Sequence, residues 1–82
     1  MQLPAPEESD PAVQSELRER VAEAMRRLPA KLRVTAVLAL IEDRPYEEIA
    51  GALGISEGAV KSRVFRAVRL LRTRLEKWGI RP

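Results

Sequence analysis

Hydrophobic positions along this chain recur with the period of a helix rather than that of a strand. Val13, Leu17, Val21, Met25 and Leu28 follow one another at spacings of four, four, four and three. They predict a first helix over about 11–28 with one buried stripe. Asp10-Pro11 supplies its start, a capping carboxylate followed by proline at the first helical position. Pro29 disfavours helical geometry at Leu28 and opens a second helix over roughly 29–42. There Leu32, Val34, Ala36, Val37, Leu38, Leu40 and Ile41 leave almost no polar face, so this helix is expected to be central to the core or partly covered by another protein. Asp43-Arg44-Pro45 connects it to a third helix over about 45–53, with Glu47 and Glu48 in the first turn, where the helix dipole favours negative charge. A last helix over about 57–77 carries Val60, Val64, Val68, Leu71, Leu75 and Trp78 on one side, and Gly79 is placed to end it. Trp78 reads as a lid on the core. The expectation is an all-α domain of four helices with short connections and no strand.

Between Tyr46 and Ala67 the chain reads YEEIAGALGISEGAVKSRVFRA, two short helices joined by a tight turn. Ile49, Ala50 and Leu53 form one apolar face of the first. Gly54 stops that helix, because glycine takes positive φ without a Cβ clash. Ile55 plugs the corner and Ser56 can cap the second helix. A small residue at the crossing (Ala50), a glycine in the turn and the aliphatic anchors Val60 and Val64 have the spacing of a helix-turn-helix without a wing. A plain αα-hairpin inside a bundle is the blander alternative.

Composition narrows the function. Eighty-two residues make one small domain, expected as a linker or tail over 1–10, the folded unit over 11–79 and a short tail over 80–82. There is no cysteine and no histidine, which excludes disulfides and the usual zinc sites. No apolar run approaches the ~20 residues of a membrane span and the first residues lack the plan of a signal peptide, so the chain is expected to be soluble and cytoplasmic. Every carboxylate reads as a cap, a dipole partner or surface charge, so no acid–base pair, and no cofactor, is implied. Net charge is only +3 but lopsided: residues 57–82 hold eight Lys/Arg against two acids, and residues 1–28 four against six. Basic charge gathered on the last helix is the footprint of a polyanionic partner.

The stretch LPAKLRVTAVLALIEDRPYEEIAGALGISEGAVKSRVFRAVRLLRTRL resembles region 4, the C-terminal promoter-reading domain, of bacterial sigma factors of the extracytoplasmic-function (ECF) type. The matching signposts are Leu28-Pro29, Tyr46 to Ala50, Leu53-Gly54-Ile55-Ser56, and Val60-Lys61-Ser62-Arg63 with Arg66-Ala67. Two positions depart from the family's habit. Asp43 stands where glycine is frequent, and Pro45 where a serine often caps the third helix. Aspartate tolerates the left-handed conformation better than most residues, so the bend is expected to survive. The resemblance implies a monomeric domain that docks its last helix in the major groove of the upstream (−35) promoter element and holds the β flap of RNA polymerase. It also implies an anti-sigma protein as a possible further partner and a nucleoid-associated location. Such factors carry a second, promoter-melting domain as well, so the chain is expected to be an excised piece.

On the last helix Gly58, Lys61, Ser62 and Phe65 fall at i, i+3, i+4 and i+7, away from the Val60–Val64–Val68 stripe. Lys61 suits guanine O6 or N7, Ser62 either sense of hydrogen bond, and Phe65 a thymine methyl. Gly58 allows close backbone approach. Packing of Phe65 against the third helix or the C-terminal segment is the alternative. Arg63, Arg66 and Arg69 flank that face as phosphate contacts, with Ser56 and the first amides of the helix as another. Arg72, Arg74 and Arg81 lie too far along for all to reach DNA, and Lys31 and Arg33 are left undecided between nucleic-acid backbone and polymerase. The rival readings are a LuxR-type response-regulator effector domain, which shares the IA…LGIS…VK core, and a protein-interaction module that kept the fold.

Overall fold

A computed structural model of the chain describes residues 10–79. Apart from Asp10, the expected linker over 1–10 lies outside the described residues, as do the tail over 80–82 and its Arg81. Asp10 accepts a hydrogen bond from the Ala12 amide at 3.0 Å, and Pro11 opens helix α1, Pro11–Arg26. Helix α2, Ala30–Ala36, runs on into a π-helical turn, Val37–Ile41. Helix α3 is Tyr46–Leu53 and helix α4 is Glu57–Lys77. Among the described residues there is no strand.

Most of the buried residues fall into two groups. Met25, Leu28, Leu32, Ala36 and Ala67 join α1, α2 and α4, with Val37 and Leu71 against them. Ile49, Ala50, Val60 and Val64 form the crossing of α3 and α4, with Leu38, Ala39, Tyr46, Leu53, Ile55 and Val68 packed around it. Helix α4 contributes to both, so it is the spine of the domain. Ala36 and Ala67 have no exposed surface at all, and two such small residues allow α2 and α4 to approach closely. Gly54 sits at φ 67° as the C-cap of α3, and the Ile55 amide reaches back to the Ala50 carbonyl at 3.1 Å. Gly79, at φ 81°, follows the end of α4 in the same way.

Helix α1 departs from the expected single buried stripe. Only its C-terminal part is covered: Ala24 and Met25 are buried, whereas Val13, Leu17 and Val21 are 57%, 42% and 37% exposed. The periodicity identifies the inward face, but among the described residues only its C-terminal part packs into a buried group. In the N-terminal half, Val13, Glu16, Leu17 and Arg20 line a shallow cleft with half-buried Trp78 at the end of α4. The Arg20 guanidinium lies 5.0 Å from the Trp78 ring centroid, within cation–π range.

Helix α1 also ends two residues early, at Arg26, although Leu28 is buried beyond it. Arg33 explains how that end is tolerated. Its Nη1 donates to the Arg26 carbonyl at 2.9 Å and to the Leu28 carbonyl at 3.3 Å, satisfying acceptors that a helix terminus leaves orphaned. Arg33, undecided in the sequence, is therefore tied to its own chain.

The second helix is not one regular α-helix over 29–42. Pro29 is its N-cap rather than its first residue. After Ala36 the amide of Glu42 reaches the Val37 carbonyl at 3.0 Å, five residues back. The wider turn sends Leu38 and Ala39 to the α3–α4 crossing and leaves Leu40 and Ile41 exposed. Thr35 is fully buried, and its hydroxyl donates to the Lys31 carbonyl at 2.7 Å, so the polar group in the core is satisfied. Asp43 takes φ 56°, the left-handed bend that the sequence required of it. Pro45 caps α3 without a side-chain hydrogen bond, its carbonyl accepting from the Glu48 and Ile49 amides. Arg44 pins the connector from both sides through Glu42 and Glu48, and those two hydrogen bonds, Glu42 first, raise its already high pKa.

Two stability predictions follow from these contacts. Val60→Asp puts a carboxylate where no surface is exposed, at several kcal/mol, against a total of about 5 kcal/mol for a domain this small. Circular dichroism should show loss of cooperative thermal unfolding; an unchanged melting temperature would mean Val60 is not the anchor. Asp43→Gly should raise stability by up to about 1 kcal/mol by relieving a left-handed non-glycine residue, read as a shift of the urea midpoint at constant slope.

Candidate nucleic-acid interface

Ser56 starts α4: its Oγ accepts from the Ala59 amide at 3.0 Å, leaving its own hydroxyl hydrogen to donate elsewhere. From there the helix is seated by Val60, Val64 and Ala67, all buried, with Val68, Leu71 and Leu75 half-buried on the same side. Seating α4 by this stripe turns Gly58, Lys61, Ser62 and Phe65 together to the outside, and all four are exposed. Phe65 is 63% exposed and belongs to neither buried group. Seven residues separate the first and last of the four, about 10 Å along the axis. That is a ridge of major-groove dimensions.

A Cβ built on Gly58 would meet only the Ser56 Oγ, at 3.8 Å, an ordinary contact. A glycine here costs helix stability, and packing does not demand it.

The placement of charge separates α4 from the rest of the molecule. The five ion pairs among the described residues join Arg20 to Glu16, Arg26 and Arg27 to Glu23, and Arg44 to Glu42 and Glu48. The hydrogen bonds from Arg27 and then Arg26 hold the Glu23 carboxyl below its usual range. All of these pairs lie on α1 or around the α3 connector. Among the described residues, no lysine or arginine of α4 makes an ion pair or donates a side-chain hydrogen bond. Lys61, Arg66, Arg69, Arg72 and Lys77 are exposed, and Arg63 and Arg74 are half-buried. Glu57 and Glu76, the only acids of this helix, stand at its two ends. A long helix with a row of unneutralised cations beside an exposed aromatic is built to meet negative charge.

One contact on this face was missed in the sequence. The Arg69 guanidinium carbon lies 5.8 Å from the Phe65 ring centroid. The Phe–Arg spacing of i, i+4 was the available signal, since such residues are neighbours on a helix surface. No cluster of three or more metal-binding side chains occurs among the described residues, and no helix there is long and apolar enough to cross a membrane.

A family model described as sigma-70, region 4 matches residues 18–71, more than half of the chain. The chain is 41% identical over 75 residues to the RNA polymerase sigma-E factor of Streptomyces antibioticus, covering 92% of itself and 42% of that protein. It is 43% identical over 54 residues to the ECF RNA polymerase sigma factor SigE of Mycolicibacterium smegmatis, covering 66% of itself and 21% of that protein. With the RNA polymerase sigma factor SigV of Bacillus subtilis the identity is 38% over 55 residues, 67% of this chain and 33% of the relative. The chain thus spans less than half the length of the curated relatives it matches.

Gly58→Ala tests whether that glycine serves an external surface. The variant should gain up to about 1 kcal/mol in folding stability yet bind duplex DNA more weakly. Thermal melting and a duplex titration on the same sample check it; a gain in stability with unchanged binding would remove Gly58 from the interface.

Proposed function

Because the chain belongs to the sigma-70 region 4 family, in its extracytoplasmic-function branch, we propose that it is the helix-turn-helix domain with which an RNA polymerase sigma factor reads the upstream (−35) element of promoter DNA. The observation that carries this reading is the row of unneutralised cations on α4 beside exposed Phe65. It favours DNA over a pure protein-interaction role, as the family match favours a sigma domain over a LuxR-type effector domain.

In this reading the first turns of α4 enter the major groove. Lys61 donates to guanine O6 or N7, Ser62 hydrogen-bonds a neighbouring base edge, and Phe65 presses on a thymine methyl. Gly58 admits the sugar–phosphate chain close to the helix backbone. Arg63 and Arg66 grip phosphates on the flanks, joined by the Ser56 hydroxyl and the free amides at the helix start. The phosphate contacts supply most of the affinity and all of its salt dependence, and the base contacts supply the choice of sequence. Val34, Leu40 and Ile41, exposed on α2 and its π-helical turn, offer an apolar face to the polymerase β flap, and an anti-sigma protein would silence the domain by covering either surface. The domain acts as a monomeric binding module without chemistry of its own, at the nucleoid of a bacterial cytoplasm.

Binding to random duplex should weaken steeply with salt. Arg66→Ala should flatten the slope of log K against log salt by about 0.9, equally on a selected and a random sequence. Lys61→Ala should instead cost about 1–3 kcal/mol at one guanine position and little elsewhere. Titrations of both variants against single-base variants of a selected site check this; a salt slope near zero for the unaltered chain would sink the proposal.

A further inference from the structure

We infer that Arg69 is a positioning residue for sequence reading: it stacks on Phe65 and holds that ring in the orientation that meets the base edge, instead of neutralising a phosphate. The inference rests on the reading of α4 as the helix in the groove, and it assigns Arg69 a different task from Arg63 and Arg66.

Three observations carry it. The guanidinium carbon lies 5.8 Å from the ring centroid, inside the ~6 Å range of a cation–π contact. Arg69 stands one turn beyond Phe65 on the same outward line of the helix, whereas Arg63 and Arg66 lie toward the edges of that face, nearer the buried stripe. Finally, no carboxylate competes for it, since Arg69 makes no ion pair among the described residues.

The physical need is plain. Phe65 is 63% exposed, and an aromatic ring standing that far into solvent samples several rotamers unless something holds it. Each rotamer lost on binding lowers affinity for the correct site. A guanidinium over one face, 5.8 Å from the centroid, restrains the ring before DNA arrives and leaves its edge and its other face for the thymine methyl. Arginine suits this better than lysine, whose compact ammonium keeps the charge but cannot stack. Once the duplex excludes water from the pair the contact strengthens, because cation–π attraction grows on desolvation. The effect therefore falls on recognition, not on the fold.

The experiment compares the 82-residue chain with Arg69→Lys, Arg69→Ala, Phe65→Ala and the Phe65→Ala/Arg69→Lys double variant. Each is titrated with a selected duplex, its single-base variants and random duplex over a range of salt. Arg69→Lys should keep the salt slope and lose roughly three- to tenfold in affinity, the scale expected for one released side chain. The loss should fall only on the selected duplex, at the base pair that Phe65→Ala identifies, with no further loss in the double variant. In the free chain the Arg69 δ-methylene protons should show an upfield ring-current shift that disappears in Phe65→Leu. If Arg69→Lys binds as the parent does while Arg69→Ala flattens the salt slope on every sequence, Arg69 is a phosphate contact and the inference is overturned. If Phe65→Ala changes no base preference, the groove role of Phe65 fails first and takes this inference with it, a result told apart by the intact ring-current shift.

Discussion

The close crossing of α3 on α4, with Val60 and Ile49 fully buried against each other's helices, is the constraint on which the rest depends. Helix α4 is at once the core's spine and the carrier of an exposed row of cations, so its seating sets which way that surface points. Each residue step turns a helix by about 100°. Seating Val60, Val64 and Ala67 inward therefore leaves Gly58, Lys61, Ser62 and Phe65 only one direction to face. Ala67 enters the other buried group beside Ala36. Both halves of the core thus fix the same azimuth, and an error in one would have to break the other.

Features set by neighbouring residues were legible in the sequence, and features set by distant ones were not. Helix α4 runs from Glu57 to Lys77 as expected, because Ser56 and Gly79 mark its ends locally. Asp43 holds its left-handed bend because side-chain size and backbone conformation are settled at one position. The stripe of α1 misled because period 3.6 names a face but cannot say how much of it a neighbour covers. The π-helical turn after Ala36 was invisible for a related reason: an unbroken run of apolar residues fits several helix geometries, and the packing of Leu38 and Ala39 on α3 and α4 selects among them. Arg33 was ambiguous because its partners, the Arg26 and Leu28 carbonyls, become available only when α1 ends early.

Charge is distributed by the same economy of neighbours. Arg20, Arg26, Arg27 and Arg44 each have a glutamate within reach along their own stretch of chain, and exposed pairs of this kind contribute little to stability. Their significance is that they leave the surface of α1 locally neutral. Helix α4 has acids only at its ends, so most of its cations have no acid on the helix within reach, and among the described residues none makes an ion pair.

That openness has a thermodynamic consequence for the free molecule. Cations three or four residues apart on one helix branch from Cβ atoms about 5–6 Å apart, a spacing on the scale of the screening length of roughly 8 Å at physiological salt. They therefore repel one another, and the unbound fold carries that strain. Added salt relaxes it while loosening any grip on phosphates, so ionic strength pushes folding and binding in opposite directions. A polyanion laid along α4 does what salt does for the fold and more, acting as a counter-ion of fixed shape. Ligand and stability are then linked through charge alone, and the domain is at its most robust when its helix is occupied.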